Sequence, residues 1–172
     1  GMPCISDPGE QIVREAHERG IRVVPVPGAS ACVTARAASG QPTAHFVFEG
    51  FLPVPKKERR ARLAFLQNET RTLIFYEAPH KLRTTLDDLA ATFGGGRSVS
   101  LCRELTKLHE EIVRTTRAEA VAYYQQNDPR GEYVLVLAGA DPADTEPDAA
   151  PTLEEVVAAA RALQAGGMPP AA

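Results

Sequence analysis

Long apolar runs are missing from this 172-residue chain. No stretch approaches the roughly 20 residues that a membrane-spanning helix needs, and the N-terminus has nothing of a signal peptide. The expectation is a cytoplasmic protein with no membrane partner. Cysteine is scarce: Cys4, Cys32 and Cys102 are odd in number, far apart and without a CxxC pair, so neither a disulfide framework nor a zinc site is indicated. They read as small buried hydrophobes. An excess of positive charge is absent too. The formal charge of −3 argues against blanket electrostatic binding to nucleic acid and leaves room for local patches only. The apolar and charged fractions, 44% and 24%, are those of an ordinary globular protein with one good-sized core or two small ones.

Against these absences stands one stretch that changes character at its middle, Arg71 to Leu82. Thr72 to Tyr76 is β-branched, aromatic and aliphatic throughout, which predicts a buried strand. Glu77 ends that run. Pro79 suits the first turn of a helix, and Leu82, Leu86, Leu89 and Phe93 follow at helical spacing. In open α/β sheets ligands gather at the carboxyl ends of strands, which directs attention to Tyr76, Glu77, Ala78 and His80. A polar helix cap is the plainer reading of the same residues.

Along the rest of the chain the signals alternate. Asp7, Pro8 and Glu10 suggest a capped helix with Ile12, Val13 and Ala16 on its apolar face, stopping at Gly20. Ile21 to Val26 predicts a strand, and Pro27 to Ser30 a turn into a small-residue helix, Ala31 to Ser39. His45 to Phe51 alternates as a strand does. Lys56, Lys57, Arg59, Arg60 and Arg62 fall within seven residues opposed only by Glu58, a basic patch that reads either as a binding surface or as a solvated helix face. After Gly94-Gly95-Gly96 come strands at Ser98 to Cys102 and Ile112 to Thr115, bridged by a run with six ionisable side chains in nine residues, Arg103 to Glu111. Ala118 to Gln126 predicts a helix and Glu132 to Ala138 a central strand. Residues 141–151 have the composition of a linker. Thr152 and Glu155 open an amphipathic helix in 152–172. His109, Glu110 and Glu111 lack a second cluster with ligand spacing, so no metal is expected.

The motifs GMPxISDPG, VVPVPGASA, FEGFLPxxKxERR, TLIFYEAPHKL, CRELTKLHEE and GEYVLVLAG, in that order, resemble the bacterial small-subunit ribosomal RNA methyltransferase I family within the tetrapyrrole methylase superfamily. The resemblance covers residues 1–140. It implies an α/β fold of the tetrapyrrole methylase kind: the end of a first, cofactor-binding domain at residues 1–40 joined to a complete second domain with a mixed sheet at 41–140. It also implies transfer of a methyl group from S-adenosylmethionine to the 2′-oxygen of a cytidine in small-subunit ribosomal RNA, by a homodimer. The family's glycine-rich opening segment is not present here. The chain is thus expected to be an N-terminally truncated piece, inactive alone, with 152–172 a shortened helical extension.

By position, the resemblance places Gly1, Met2, Pro3, Ile5, Ser6 and Asp7 beside the cofactor, where small residues let backbone approach a ligand closely. Ser30 and Ala31 form a second cofactor-lining turn, and Tyr76, Glu77, Ala78 and the strand end at Leu137 to Gly139 line the cleft from the other side. Candidates to accept the hydroxyl proton are Glu77, His80, Glu104 and Glu110. Lys56, Lys57, Arg59, Arg60, Arg62, Arg103 and Lys107 are candidates for RNA phosphate contacts. Two other readings are a methyltransferase for a small tetrapyrrole-type molecule and a non-catalytic RNA-binding or dimerisation module.

Overall fold

Five short strands carry the apolar residues that hold the chain together, and their alternation decides what packs where. The computed structural model describes residues 1–141, of which Gly1–Ala140 form one compact unit. The strands are β1 Phe46–Phe51, β2 Thr72–Glu77, β3 Ser98–Arg103, β4 Glu111–Thr116 and β5 Tyr133–Leu137; the helices are α1 Glu10–Glu18, α2 Ala31–Ala38, α3 Lys56–Phe65, α4 Pro79–Phe93 and α5 Arg117–Gln126. They form a mixed sheet in the order β1-β2-β5-β3-β4, with β1 parallel to β2 and all other neighbours antiparallel.

Odd-numbered residues of the inner strands, Leu73, Phe75, Val99, Leu101, Tyr133, Leu135 and Leu137, meet Leu63 of α3, Leu82, Leu86, Leu89 and Phe93 of α4, and Ala120 and Tyr124 of α5. Even-numbered residues Ile74, Cys102, Val134 and Val136 meet Cys32 and Ala35 of α2. The result is three layers, with α2 on one face of the sheet and α3, α4 and α5 on the other. Ser98 and Ser100 also point to that face and bind the end of α2 through Gln41 Nε2 at 2.9 Å and the Ser39 carbonyl at 2.7 Å. The one complete capping box among the described residues starts α5, where Thr116 and Glu119 exchange hydrogen bonds.

Three local expectations need correction. Ile21 to Val26 forms no strand: the segment is irregular, no described strand pairs with it, and Ile21, Val24 and Val26 are exposed. Helix α1 starts at Glu10 after Gly9, whose φ of 136° breaks the run, with no side-chain cap from Asp7. Cys4 is exposed, while Cys32 and Cys102 are buried. The linker and amphipathic helix expected at 141–151 and 152–172 lie, but for Asp141, outside the described residues. Among the described residues no helix is long and apolar enough to cross a membrane, and no three His, Cys, Asp or Glu side chains converge on a metal position.

Candidate functional site

At the carboxyl end of β2 the sheet faces a cavity of about 520 Å³. Its floor is the α2-facing side of the sheet, through Tyr76, Cys102 and Val134, and its far wall is the loop 1–7 with the turn 29–31. That wall is held by backbone contact: Met2 N–H donates to the Ala29 carbonyl at 2.8 Å. A Cβ on Gly1 would stand 2.8 Å from the same oxygen, so only glycine lets the two segments meet.

Gly1, Met2, Ile5, Ser6, Asp7, Ser30, Ala31, Tyr76, Glu77 and Ala78 lie in the cavity wall; Pro3 does not. Of the proton-acceptor candidates, Glu77 and Glu104 reach it and His80 and Glu110 do not. Glu77 is 4% exposed and its oxygens accept from Ala78 N–H at 2.8 Å and the Thr85 hydroxyl at 2.5 Å. It ties the end of β2 to α4 through Thr85, while no side chain caps the first turn of α4. His80 is exposed on the first turn of α4. Glu110 accepts from Thr106 N–H at 2.6 Å and closes its own loop.

Glu104 takes a left-handed φ of 50° and Thr106 one of 64°, two strained residues in the connection from β3 to β4. Glu104 Oε1 accepts from Lys107 Nζ at 3.0 Å and from Glu132 N–H at 2.9 Å. Lys107 also binds Glu132 Oε2 at 3.0 Å. The ammonium group beside it, then the amide, hold the Glu104 carboxyl below the ordinary carboxylate range. The same two carboxylates raise the pKa of Lys107. Gly131, at φ 76°, leaves the space that the Glu104 side chain fills. Lys107 thus stands between two acids at the cavity edge, and a phosphate there would share it with both carboxylates.

The tyrosine on the floor is equally well placed. Tyr76 Oη accepts from Cys32 N–H in the first turn of α2 at 2.9 Å, and its ring meets Phe48 and Phe51 edge-on at 4.9 and 5.7 Å. Burial raises its pKa and pushes the Cys102 thiol to about 11, so both are neutral at physiological pH.

The basic segment is α3 itself, and its arginines are occupied. Arg59 donates to Asp88 at 2.7 Å and Arg60 to the same carboxylate at 3.4 Å. Arg62 holds Glu49 through two bonds at 2.7 and 2.8 Å, and Arg103 pairs with Glu111 at 2.9 Å. Lys56 and Lys57 are exposed. Leu137 to Gly139 lie away from the cavity: β5 runs antiparallel to β2, pairing Tyr133 with Glu77 and Leu137 with Leu73. The start of β5, Glu132 to Val134, therefore lines the site instead. Sequence reasoning also passed over Phe51, Cys102 and Leu105.

The sequence pattern of the tetrapyrrole (corrin/porphyrin) methylases matches residues 1–121. The chain is 49% identical over 144 residues to a protein of Synechocystis and 51% identical over 139 residues to one of Halalkalibacterium halodurans, both named ribosomal RNA small subunit methyltransferase I. These alignments cover 84% and 81% of this chain and 52% and 48% of the relatives; the chain spans about half the length of the curated relatives it matches. Among solved structures, uroporphyrin-III C-methyl transferase from Thermus thermophilus complexed with S-adenyl homocysteine superposes with a TM-score of 0.55 at 18% identity. That alignment covers 80% of this chain and 62% of the other, and it shows a shared fold.

Proposed function

Since the chain belongs to the tetrapyrrole (corrin/porphyrin) methylase family, we propose that it supplies one side of the reaction site of an S-adenosylmethionine-dependent methyltransferase acting on the 2′-hydroxyl of a cytidine in small-subunit ribosomal RNA. The observation that carries this reading is the cavity, built from the end of a buried sheet, a strained polar connection and two close-packed backbone segments. Near-half identity to relatives named for ribosomal RNA favours that substrate over a tetrapyrrole. A cytoplasmic homodimer completes the proposal.

The residues fit the cofactor. A volume near 520 Å³ lies in the usual range for small-ligand sites, and the wall from Gly1 to Asp7 with Ser30 and Ala31 offers backbone and short side chains to a bulky ligand. These residues, with Tyr76 and Ala78, would hold it. When bound, S-adenosylmethionine supplies a methyl group already activated by a sulfonium. What the chain must add is chiefly placement, since a well-oriented attack accounts for most of such a barrier. Glu77, with both oxygens engaged, fixes the strand end under the reacting groups. Glu104 is the carboxylate at the cavity edge that receives the hydroxyl proton, and Lys107 and the Glu132 amide set its position.

The test is transfer of labelled methyl groups from S-adenosylmethionine to small ribosomal subunits by the full-length natural protein, followed by mapping of the modified nucleotide. A 2′-O-methylcytidine is expected. No transfer, or transfer to a base carbon or nitrogen, would overturn the reading.

A further inference from the structure

A regularly alternating strand turns residues 46, 48 and 50 to one face and 47, 49 and 51 to the other. β1 does otherwise. Its pairing with β2 runs Phe48↔Ile74, then Gly50↔Phe75 and Phe51↔Tyr76, so Glu49 is an extra residue. The bulge carries Phe51 to the face of Phe48 and Tyr76, where the cavity opens, instead of toward α3 and α4. Bulges beside functional sites re-aim side chains in this way.

The device is anchored on both sides. Gly50 takes φ 63° and lies so close to the loop 1–7 that a Cβ would stand 2.7 Å from Ser6 Oγ. The Glu49 carboxylate, 5% exposed, is gripped by Arg62. What this arrangement delivers is a phenyl ring left 56% exposed in the cavity wall, its centroid 5.7 Å from that of Tyr76 at an interplanar angle of 71°. A ring so placed forgoes its own burial and offers a flat apolar face to another flat group.

We propose that Phe51 stacks against the base of the nucleotide whose ribose is methylated, a base splayed out of its strand; the inference rests on the ribosomal RNA reading above. Unstacked bases are held on aromatic side chains wherever RNA is read outside a helix, and such stacking tolerates any base. The following residues suit the same occupant. After the short connection Leu52 to Pro55, α3 opens with Lys56 and Lys57, exposed and, among the described residues, without carboxylate partners. They supply charge for flanking phosphates while the ring takes the base.

The adenine of the methyl donor is the competing flat group, and the experiment separates the two. Full-length natural protein and its variants Phe51→Ala, Phe51→Leu and Phe51→Tyr are compared in three assays. These are quenching of a fluorescent cytosine analogue in a short single-stranded RNA, kcat/KM for methyl transfer to small ribosomal subunits, and calorimetric affinity for S-adenosylhomocysteine. Phe51→Ala is expected to lose the quenching and about tenfold in kcat/KM, the scale of one lost stack, with S-adenosylhomocysteine affinity within twofold. Phe51→Tyr restores both losses and Phe51→Leu, which fills the space without a flat ring, does not. The proposal is overturned if Phe51→Leu matches the unaltered protein, if Phe51→Ala stays within twofold, or if S-adenosylhomocysteine affinity falls in parallel. If the unaltered protein methylates nothing in the subunits, the functional reading fails, while the quenching comparison still decides whether the ring stacks on RNA bases.

Discussion

Of the carboxylates that line the cavity, Glu77 and Glu104 have surroundings that separate their roles. Replacing Glu77 by Ala strips an acceptor from a buried hydroxyl and a backbone amide and is expected to cost about 2–3 kcal/mol in denaturant unfolding. Glu77→Gln, which keeps one acceptor oxygen, retains more stability. Glu104→Gln is expected to leave stability nearly unchanged and lower kcat about 100-fold. Because the Glu104 pKa is depressed, its ionised form persists down through the ordinary glutamate range. Its contribution to the rate is therefore flat across neutral pH and is lost only as pH falls through that depressed value; a limb near pH 7 would assign the proton elsewhere. Arg117 poses the opposite problem, a guanidinium with 0% exposure whose Nη2 donates to the Phe93 carbonyl at 2.7 Å while Nε and Nη1 find no acceptor among the described residues. Burial, then the nearby Arg97, lower its pKa to about 10. Arg117→Met, which keeps the volume and removes the charge, is expected to change stability by no more than about 1 kcal/mol in either direction. Arg117→Ala leaves a cavity and costs about 2–4 kcal/mol, and denaturant melts of the two variants side by side check the contrast.

Elements that announce themselves by composition were legible. Thr72 to Tyr76 followed by Pro79 gave β2 and α4, because a fully apolar run and a proline at a helix start have one common structural explanation each. The apolar run Tyr133 to Leu137 is indeed central, between β2 and β3. Ile21 to Val26 had the composition of a strand and is none, since a strand also needs a partner and pairing is not local information. The bulge in β1 was hidden for a related reason: it exists only relative to β2. Its glycine is the element-level test. Gly50→Ala would put a methyl group against Ser6 Oγ at a positive φ, and we expect a loss of about 1–2 kcal/mol with weakened cofactor affinity, read by thermal melts and calorimetry. An unchanged melt would mean that β1 and the loop 1–7 do not depend on each other.

Across the whole molecule, the basic run that stood out in the sequence divides by its partners. Charge counts cannot show that Arg59 and Arg60 converge on Asp88 or that Arg62 serves Glu49, because those acids are distant in the chain. The two lysines should carry the RNA-binding effect. Lys56→Ala with Lys57→Ala is expected to weaken RNA binding and reduce its salt slope by about 1.4, at roughly 0.7 per phosphate on a single strand. Arg59→Ala should lower stability with little change in that slope. The unequal burial of the three thiols has a practical use. Cys4 alone is exposed, one residue before the Ile5 and Ser6 that border the cavity. A maleimide dye would therefore label one position without prior cysteine removal, and its emission would report ligand arrival in real time.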